Sequence, residues 1–245
     1  MERKKYTLII LVLLVGIGEI QATYKADIYS AYVSGDMGRW KNIIDQMDKV
    51  VNKDNDLLLE LVNYQYGYIA WCIGEKRNSE ARRYLNLAEA NISLLERNKF
   101  KLSMINAYKS AFYGYRIGLN VLQAPFIGPK SVECARKSME LDPSNPFGYI
   151  QYGNSQYYMP AMFGGSKEEA LKYYLKAEKL MASFPDFTEG NWNYLNLLTV
   201  IAQAYNETND PVTAKSYYEK ILKLEPDFVW VKNELYQDLL KNMKN

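Results

Sequence analysis

The chain has 245 residues, and its 30 Lys and Arg nearly balance its 28 Asp and Glu, for a formal net charge of +2 at pH 7. Such a balance argues against nucleic acid or an anionic membrane surface as the main partner. The sequence contains no His, which excludes His-based acid–base catalysis, Ser-His-Asp and Cys-His arrangements and most zinc sites. We therefore expect no metal and no cofactor.

The first residues have the layout of a secretory signal peptide. Arg3, Lys4 and Lys5 precede an apolar run over 6–18, and Ala22 offers a small residue for cleavage. The run is shorter than the roughly 20 residues of a membrane span. We expect residues 1–22 to be removed on export to the periplasm or cell envelope, leaving 23–245 as one domain. The alternative is an uncleaved N-terminal anchor, and membrane contact is expected only in that case.

Helical spacing dominates the remaining chain, and strand signals are nearly absent. In chain order, the patterns predict helices at about 24–34, 38–52, 57–73, 79–95 and 99–122, then one that ends at 141 after prolines at 125 and 129. Later starts are marked by caps: Asn145 or Ser144 before Pro146, a Ser166–Glu169 capping box, Asp210 before Pro211, and Asp227 before a final helix at 228–243. This predicts about eleven helices, in five pairs with a C-terminal capping helix.

One residue frame recurs in the second helices of these pairs. A small residue is followed by an aromatic residue or Leu four positions later, and by a small or aliphatic residue three positions after that. The copies are Ala81/Leu85/Ala88, Ala170/Tyr174/Ala177 and Ala214/Tyr218/Ile221, with a weaker one at Ser131/Ala135/Ser138. The small residue lets two helices approach, and the ring fills the space toward the next pair.

The frame and its proline stops resemble the tetratricopeptide repeat (TPR), most strongly over 195–227 and more loosely over 56–227. The resemblance implies an all-α, right-handed solenoid of helical hairpins that binds a partner on its concave face. The copies are spaced 50, 39 and 44 residues apart, longer than the roughly 34 of a standard repeat. The extra residues are predicted to be insertions at 125–128 and 160–165. The turn from Phe163 to Ser166 also resembles exported TPR-like proteins, including the T component of TRAP transporters.

The first helices of the pairs carry the candidate binding residues. On the last repeat, an amide and hydroxyl face is predicted from Asn196, Thr199, Gln203 and Asn206. Aromatic stripes upstream add Tyr64, Tyr68, Trp71, Tyr108, Tyr115, Ile150, Asn154, Tyr157 and Tyr158, and the insertions add Phe126 and Phe163. In similar TPR proteins such amides bind extended peptide backbones. Aromatic stripes are more often core, and the polar residues are equally consistent with a solvated surface.

Three functions remain open. The first is a non-enzymatic exported scaffold that binds a protein or peptide. The second is a binding component of an envelope transport system for a small apolar or mixed ligand in an aromatic cleft. The third is a cell-wall hydrolase with a lone carboxylate, for which Glu189 is the candidate. Cys72 and Cys134 are expected to be free, small buried residues; the alternative is a disulfide between them.

Overall fold

A computed structural model describes residues 24–244, so the signal-peptide prediction lies outside the described residues. This part of the chain contains twelve α-helices and no strand. They are α1 (24–34), α2 (Met37–Lys49), α3 (Asn55–Gly74), α4 (Asn78–Arg97), α5 (Leu102–Leu119), α6 (Ala124–Leu141), α7 (Pro146–Tyr158), α8 (Lys167–Ala182), α9 (Pro185–Thr188), α10 (Trp192–Glu207), α11 (Pro211–Leu224) and α12 (Tyr236–Asn242). None of the helices in 24–244 is both long and apolar enough to cross a bilayer.

Ten of these helices form five consecutive pairs: α1/α2, α3/α4, α5/α6, α7/α8 and α10/α11. From α3 onward, each second helix also packs against the first helix of the next pair. The short α9 lies in the link between the fourth and fifth pairs, and α12, preceded by a π-helical turn over Val231–Leu235, covers the end of the stack. The predicted all-α hairpin solenoid with a C-terminal cap is confirmed.

The recurring frame forms the packing surface of the second helices. All twelve frame residues, including the weaker copy on α6, are buried. On α6 the small side chains bring the backbones of α5 and α6 close together. Ser103 Oγ donates to the Ser138 carbonyl at 2.9 Å, and Ser131 Oγ donates to the Ser110 carbonyl at 2.8 Å. Small residues therefore set the distance between paired helices.

Most predicted helix starts are capped as expected. The Ser166 hydroxyl accepts from the Glu169 amide at 3.1 Å, and Asp210 accepts from the Thr213 amide at 3.0 Å. The Asn145 side chain accepts from the Phe147 amide at 3.0 Å. Helix α4 is an exception, because it begins at Asn78 without a side-chain cap. Satisfying the first backbone amides stabilises each start.

The two insertions differ in structure from the prediction. Residues 125–128 are not a separate loop, because α6 begins at Ala124 and Pro125 is tolerated in a first helical turn. The connection is the 3₁₀ turn Val121–Gln123, after α5 has ended at Leu119. The second insertion is a 3₁₀ turn over Ala161–Phe163. Gly165 is required there, since a Cβ would lie 1.8 Å from the Met159 carbonyl oxygen.

The solenoid closes on itself, which the sequence did not predict. Two hydrophobic clusters, one centred on α2–α5 and one on α7–α12, are bridged by Tyr29 and Tyr32 of α1, which pack against both. The Tyr32 ring lies 5.7 Å from Trp192 of α10 and 4.9 Å from Phe228, and the Tyr29 hydroxyl donates to Glu225 at 3.0 Å. The first helix thus contacts the last pair.

Candidate functional site

The connections within pairs gather at one end of the stack, which we call the loop end. Lys167, which starts α8, forms an ion pair with Glu207 at the last turn of α10. Gly118, near the end of α5, lies beside Ile73, near the end of α3. A Cβ atom placed on Gly118 would be 3.8 Å from Ile73 Cγ2. First helices therefore run in the same direction, and their C-terminal turns share the loop end.

Several candidate residues lie in the core. Tyr64 and Tyr68 are buried, and their hydroxyls donate to Glu60 and, at 3.0 Å, to Glu80. Thr199 is fully buried and donates to the Leu195 carbonyl at 2.8 Å. Tyr108 and Ile150 are buried as well. The prediction that these residues line an open groove was wrong. Helix α3 is covered by α2, α4 and α5, and α10 packs against both α8 and α11.

Two of the predicted amides are half-buried and already bonded within the protein. Asn154 donates to the Gln151 side chain at 3.0 Å and accepts from the Tyr174 hydroxyl at 2.8 Å. Asn196 accepts from the Tyr32 hydroxyl at 3.1 Å. A peptide backbone would have to replace these bonds, so the structure does not present either amide as a free ligand for a partner.

A small gap remains between α3, α7, α8 and α10. It is lined by Tyr66, Phe147, Ile150, Asn154, Tyr174, Asn193, Asn196, Leu197 and Val200, none of which is charged. Its volume is about 10 Å³, which is the space of a single water molecule. The gap is therefore too small to hold a ligand larger than a water molecule.

The accessible candidates lie at the loop end. Phe126, Tyr158 and Phe163 are 76%, 73% and 67% exposed. Val121, Leu122 and Met162, in the same two connections, are also exposed. Asn206 is exposed, and Trp71, Tyr115, Tyr157 and Gln203 are partly exposed. Because soluble proteins seldom display several large apolar side chains together, this end is a candidate binding surface.

The electrostatics of the loop end favour neutral tyrosines. Burial raises the pKa of Tyr115, and neighbouring tyrosines raise it further. Burial alone would raise the pKa of Glu207, but hydrogen bonds from Lys167 and Tyr157 and the Lys167 charge together lower it. At neutral pH this surface therefore offers phenol hydroxyls and rings beside a paired carboxylate.

The structure offers little support for carboxylate catalysis. Glu189 is exposed at the C-terminal end of the short α9, and no carboxylate lines the gap between α7 and α10. Residues 24–244 contain no group of three potential metal ligands. Both cysteines are free, with Cys72 buried as expected and Cys134 partly exposed.

Residues that the sequence analysis missed join α1, α2 and α10 in the core. Trp40, Tyr32 and Trp192 meet there, with the two tryptophan rings 5.0 Å apart. Gly67 makes room for them, because a Cβ would lie 2.7 Å from the Trp192 ring and 2.8 Å from Trp40. Helical spacing indicated none of these contacts, and those of Trp192 join residues more than a hundred positions apart.

Known proteins share this architecture. A tetratricopeptide repeat profile matches residues 195–228, and no curated protein matches the chain. Among solved structures, the HusA haemophore from Porphyromonas gingivalis is 22% identical with a TM-score of 0.63, covering 78% of this chain and 94% of that one. The thermophilic TPR protein TTC0263 of Thermus thermophilus is 15% identical with a TM-score of 0.57, covering 84% and 92%.

These likenesses show the fold. The chain is a TPR-like helical protein. The resemblance to the TRAP transporter T component stays a prediction.

Proposed function

We propose that the chain is an exported, non-enzymatic scaffold that binds a protein or peptide partner at the loop end of its TPR-like solenoid. The observation that carries the proposal is the exposure of Phe126, Tyr158 and Phe163 on neighbouring pairs at one end. Gln203 and Asn206, on the last turns of α10, add amide groups beside these rings. Aromatic anchors with polar neighbours are the usual composition of an interface centre.

The sequence predicted a binding face along the length of α10, whereas this proposal uses only the last turns of that helix. Asn196 is bonded to Tyr32, so replacing it would disturb the closure of the solenoid as well as any partner contact. Gln203 and Asn206 are better probes, because they lie nearer the loop end.

Site-specific photo-crosslinking tests the proposal. A crosslinking amino acid is placed at Phe163 and, as a matched control, at Val51, which is 81% exposed in the turn between α2 and α3. We expect an envelope protein to be crosslinked from position 163 and not from position 51. The crosslinked product should be lost when Tyr158→Ala and Phe126→Ser are combined. Equal capture from both positions would contradict binding at the loop end.

A second candidate function is binding of a flat apolar ligand such as haem at the same surface. It is favoured by the exposed rings and by the similarity in fold to a haemophore. Because the internal gap holds only about 10 Å³, such a ligand would stack on the outer faces of rings such as Tyr158.

Titration with ferric haem tests this candidate. We expect a saturable change in the haem absorption band that Tyr158→Ala and Phe163→Ser together weaken and Val51→Ser does not. A linear, non-saturating response, or the same response from all variants, would contradict haem binding at this surface. Neither result would affect the proposal of a protein or peptide partner.

A further inference from the structure

The second helices α8 and α11 are joined across α10 by a carboxylate. Glu178 of α8 accepts from the Lys220 ammonium at 2.5 Å and from the Tyr217 hydroxyl at 2.8 Å. Only 13% of the Glu178 side chain is exposed, and the ammonium lies 6.0 Å from the ring of Tyr194 in α10. One glutamate thus satisfies two donors of the next second helix.

The recurring frame identifies the equivalent residues one pair earlier. Its copies on α8 and α11 are 44 residues apart, and those on α6 and α8 are 39 residues apart. The lysine and the tyrosine recur at these offsets, as Lys176 and Tyr173 of α8. Lys176 also lies 6.0 Å from a tyrosine ring, that of Tyr149 in α7. The glutamate does not recur, because Met139 of α6 occupies its position.

A glutamate stands at the same position in the other second helix that precedes α6. In α4, 50 residues before Met139, it is Glu89, which forms an ion pair with Arg116 of α5. Two of these three second helices therefore carry a carboxylate that pairs with a cation of a later helix, and α6 carries a thioether, which is a weak acceptor. The lysine and the tyrosine of α8 lack the acceptor that their equivalents in α11 have.

The surface between α6 and α8 also carries an arginine. The Arg136 guanidinium donates to the Tyr152 hydroxyl at 3.4 Å, and the Tyr152 ring lies 4.4 Å from the Tyr173 ring. The Tyr149 ring lies 6.4 Å from Tyr173 on the side of Lys176. Three tyrosine rings thus lie between two cations. We call this surface the α6–α8 face, and it consists of Arg136, Met139, Tyr149, Tyr152, Tyr173 and Lys176.

Both cations of the α6–α8 face lack a carboxylate partner. Neither Arg136 nor Lys176 takes part in an ion pair within residues 24–244. Helix α7 contains no Asp or Glu, and Glu133 of α6 lines the surface toward α5. The other carboxylates nearby have lysine partners on their own helices: Glu169 with Lys172, and Glu140 with Lys137. Two positive charges therefore remain unpaired.

We propose that the α6–α8 face binds the carboxylate of an Asp or Glu side chain in a partner peptide, at the position that Glu178 occupies one pair later. Lys176 and the Tyr173 hydroxyl would donate to this carboxylate, and Arg136 would add a second positive charge. The rings of Tyr149 and Tyr173 are partly exposed, so they offer apolar contact to neighbouring residues of the peptide.

The α6–α8 face is a different surface from the loop end. Arg136 follows Phe126 by ten residues, or about 15 Å along α6. Tyr149 is in the first turn of α7, at the opposite end of that helix from Tyr158. Tests with synthetic peptides on this face therefore give a result that does not depend on the partner proposed for the loop end.

An NMR titration tests the proposal through the backbone amides of α8. The probes are a blocked five-residue peptide with one central glutamate, the same peptide with glutamine, and free glutarate, all at one ionic strength. We expect saturable shifts over residues 173–176 with the glutamate peptide. The glutamine peptide should bind about tenfold more weakly, since hydrogen bonds to a charged group are lost. Glutarate that binds as tightly as the glutamate peptide would contradict a peptide ligand.

The substitution Met139→Glu should supply the missing carboxylate from within the chain. We expect it to abolish binding of the glutamate peptide, whereas Met139→Gln, which has the same shape without the charge, should keep it. Lys176→Ala should also lose binding. The matched control is Lys179→Ala, which removes another exposed lysine of α8 and should bind as the parent chain does.

The same substitution has a readout that needs no ligand. The melting temperature of Met139→Glu should lie about 1–3 °C above that of Met139→Gln, because an ion pair with Lys176 is added. This difference should vanish when both are combined with Lys176→Ala. The proposal is overturned if the glutamate and glutamine variants melt alike, or if both bind the glutamate peptide equally.

Discussion

At the residue scale, the close packing of one helix on another depends on glycines at particular positions. A Cβ at Gly153 of α7 would lie 2.5 Å from the Tyr174 ring, whereas a Cβ at Gly114 of α5 would meet nothing within 4 Å. Tyr174 is fully buried and hydrogen-bonded to Asn154, so its ring has little freedom to move. The same substitution should therefore have opposite effects at the two glycines.

We predict that Gly153→Ala lowers the free energy of unfolding by about 1–3 kcal/mol through overpacking. Gly114→Ala should raise it by about 0.5–1 kcal/mol, because alanine loses less backbone freedom on folding. Urea denaturation of both variants gives the comparison. A stabilised Gly153→Ala variant would show that α7 and α8 are packed less closely than the structure indicates.

At the element scale, each helix start depends on the residue before it. Asp210 caps α11 through the Thr213 amide, and this hydrogen bond lowers the pKa of the Asp210 carboxyl. We predict that Asp210→Ala lowers the unfolding free energy, because the Thr213 amide loses its side-chain acceptor. Asp48→Ala, on the exposed side of α2, should cause no comparable loss. Thermal denaturation of both variants at pH 7 tests this, and equal losses would mean that the cap contributes nothing specific.

The contact between α8 and α10 should depend on pH. The pKa of Glu207 is lowered in the folded chain, so its ion pair with Lys167 stabilises the fold above the unfolded pKa of about 4.3. That stability is lost as the pH falls through the lowered folded value, when the carboxylate takes up its proton. We predict a steeper loss of thermal stability below about pH 4.3 in the parent chain than in Lys167→Ala. Parallel curves for the two proteins would contradict a role for this pair.

At the scale of the whole molecule, α1 turns a linear stack into a closed one. In an ordinary solenoid each repeat contacts only its neighbours, so a change in the first pair should not affect the last. Here Tyr32 packs against Trp192 and Phe228 and donates to Asn196. The first and last pairs should therefore unfold together.

We predict that Tyr32→Ala lowers the overall stability by about 2–4 kcal/mol and speeds hydrogen exchange in α10 and α11. Tyr24→Ala is the control, since Tyr24 packs only against the N-terminal cluster. That variant should affect exchange in the first pairs alone. If Tyr32→Ala leaves exchange in α10 and α11 unchanged, the closure contributes no coupling between the ends.

Much of the fold could be predicted from local patterns. The small-residue frame placed Ala81, Ala170 and Ala214 in the core, and all three are fully buried. The helix order and the five pairs followed from caps, prolines and spacing, because these act over a few residues. Boundaries next to prolines were less well predicted, since Pro125 fits a first helical turn as readily as a loop.

The candidate site could be predicted only in part. Phe126, Tyr158 and Phe163 are exposed, as a binding role requires, whereas Tyr64, Tyr68 and Thr199 are buried. The sequence places Tyr64, Tyr68, Tyr158 and Thr199 on amphipathic helices and does not distinguish the two sides of a helix when both carry aromatic or polar groups. Burial depends on which other helices cover each face, and those helices come from distant parts of the chain.

By itself, the sequence determined the helices and their pairing, because both depend on contacts between residues close in the chain. Only the tertiary structure decided that α1 reaches the last pair and that Trp192 packs against α1, α2 and α3. It also decided that the accessible rings gather at the loop end. These features arise from the accumulated curvature of five pairs, to which every interhelical angle contributes and which no local pattern encodes.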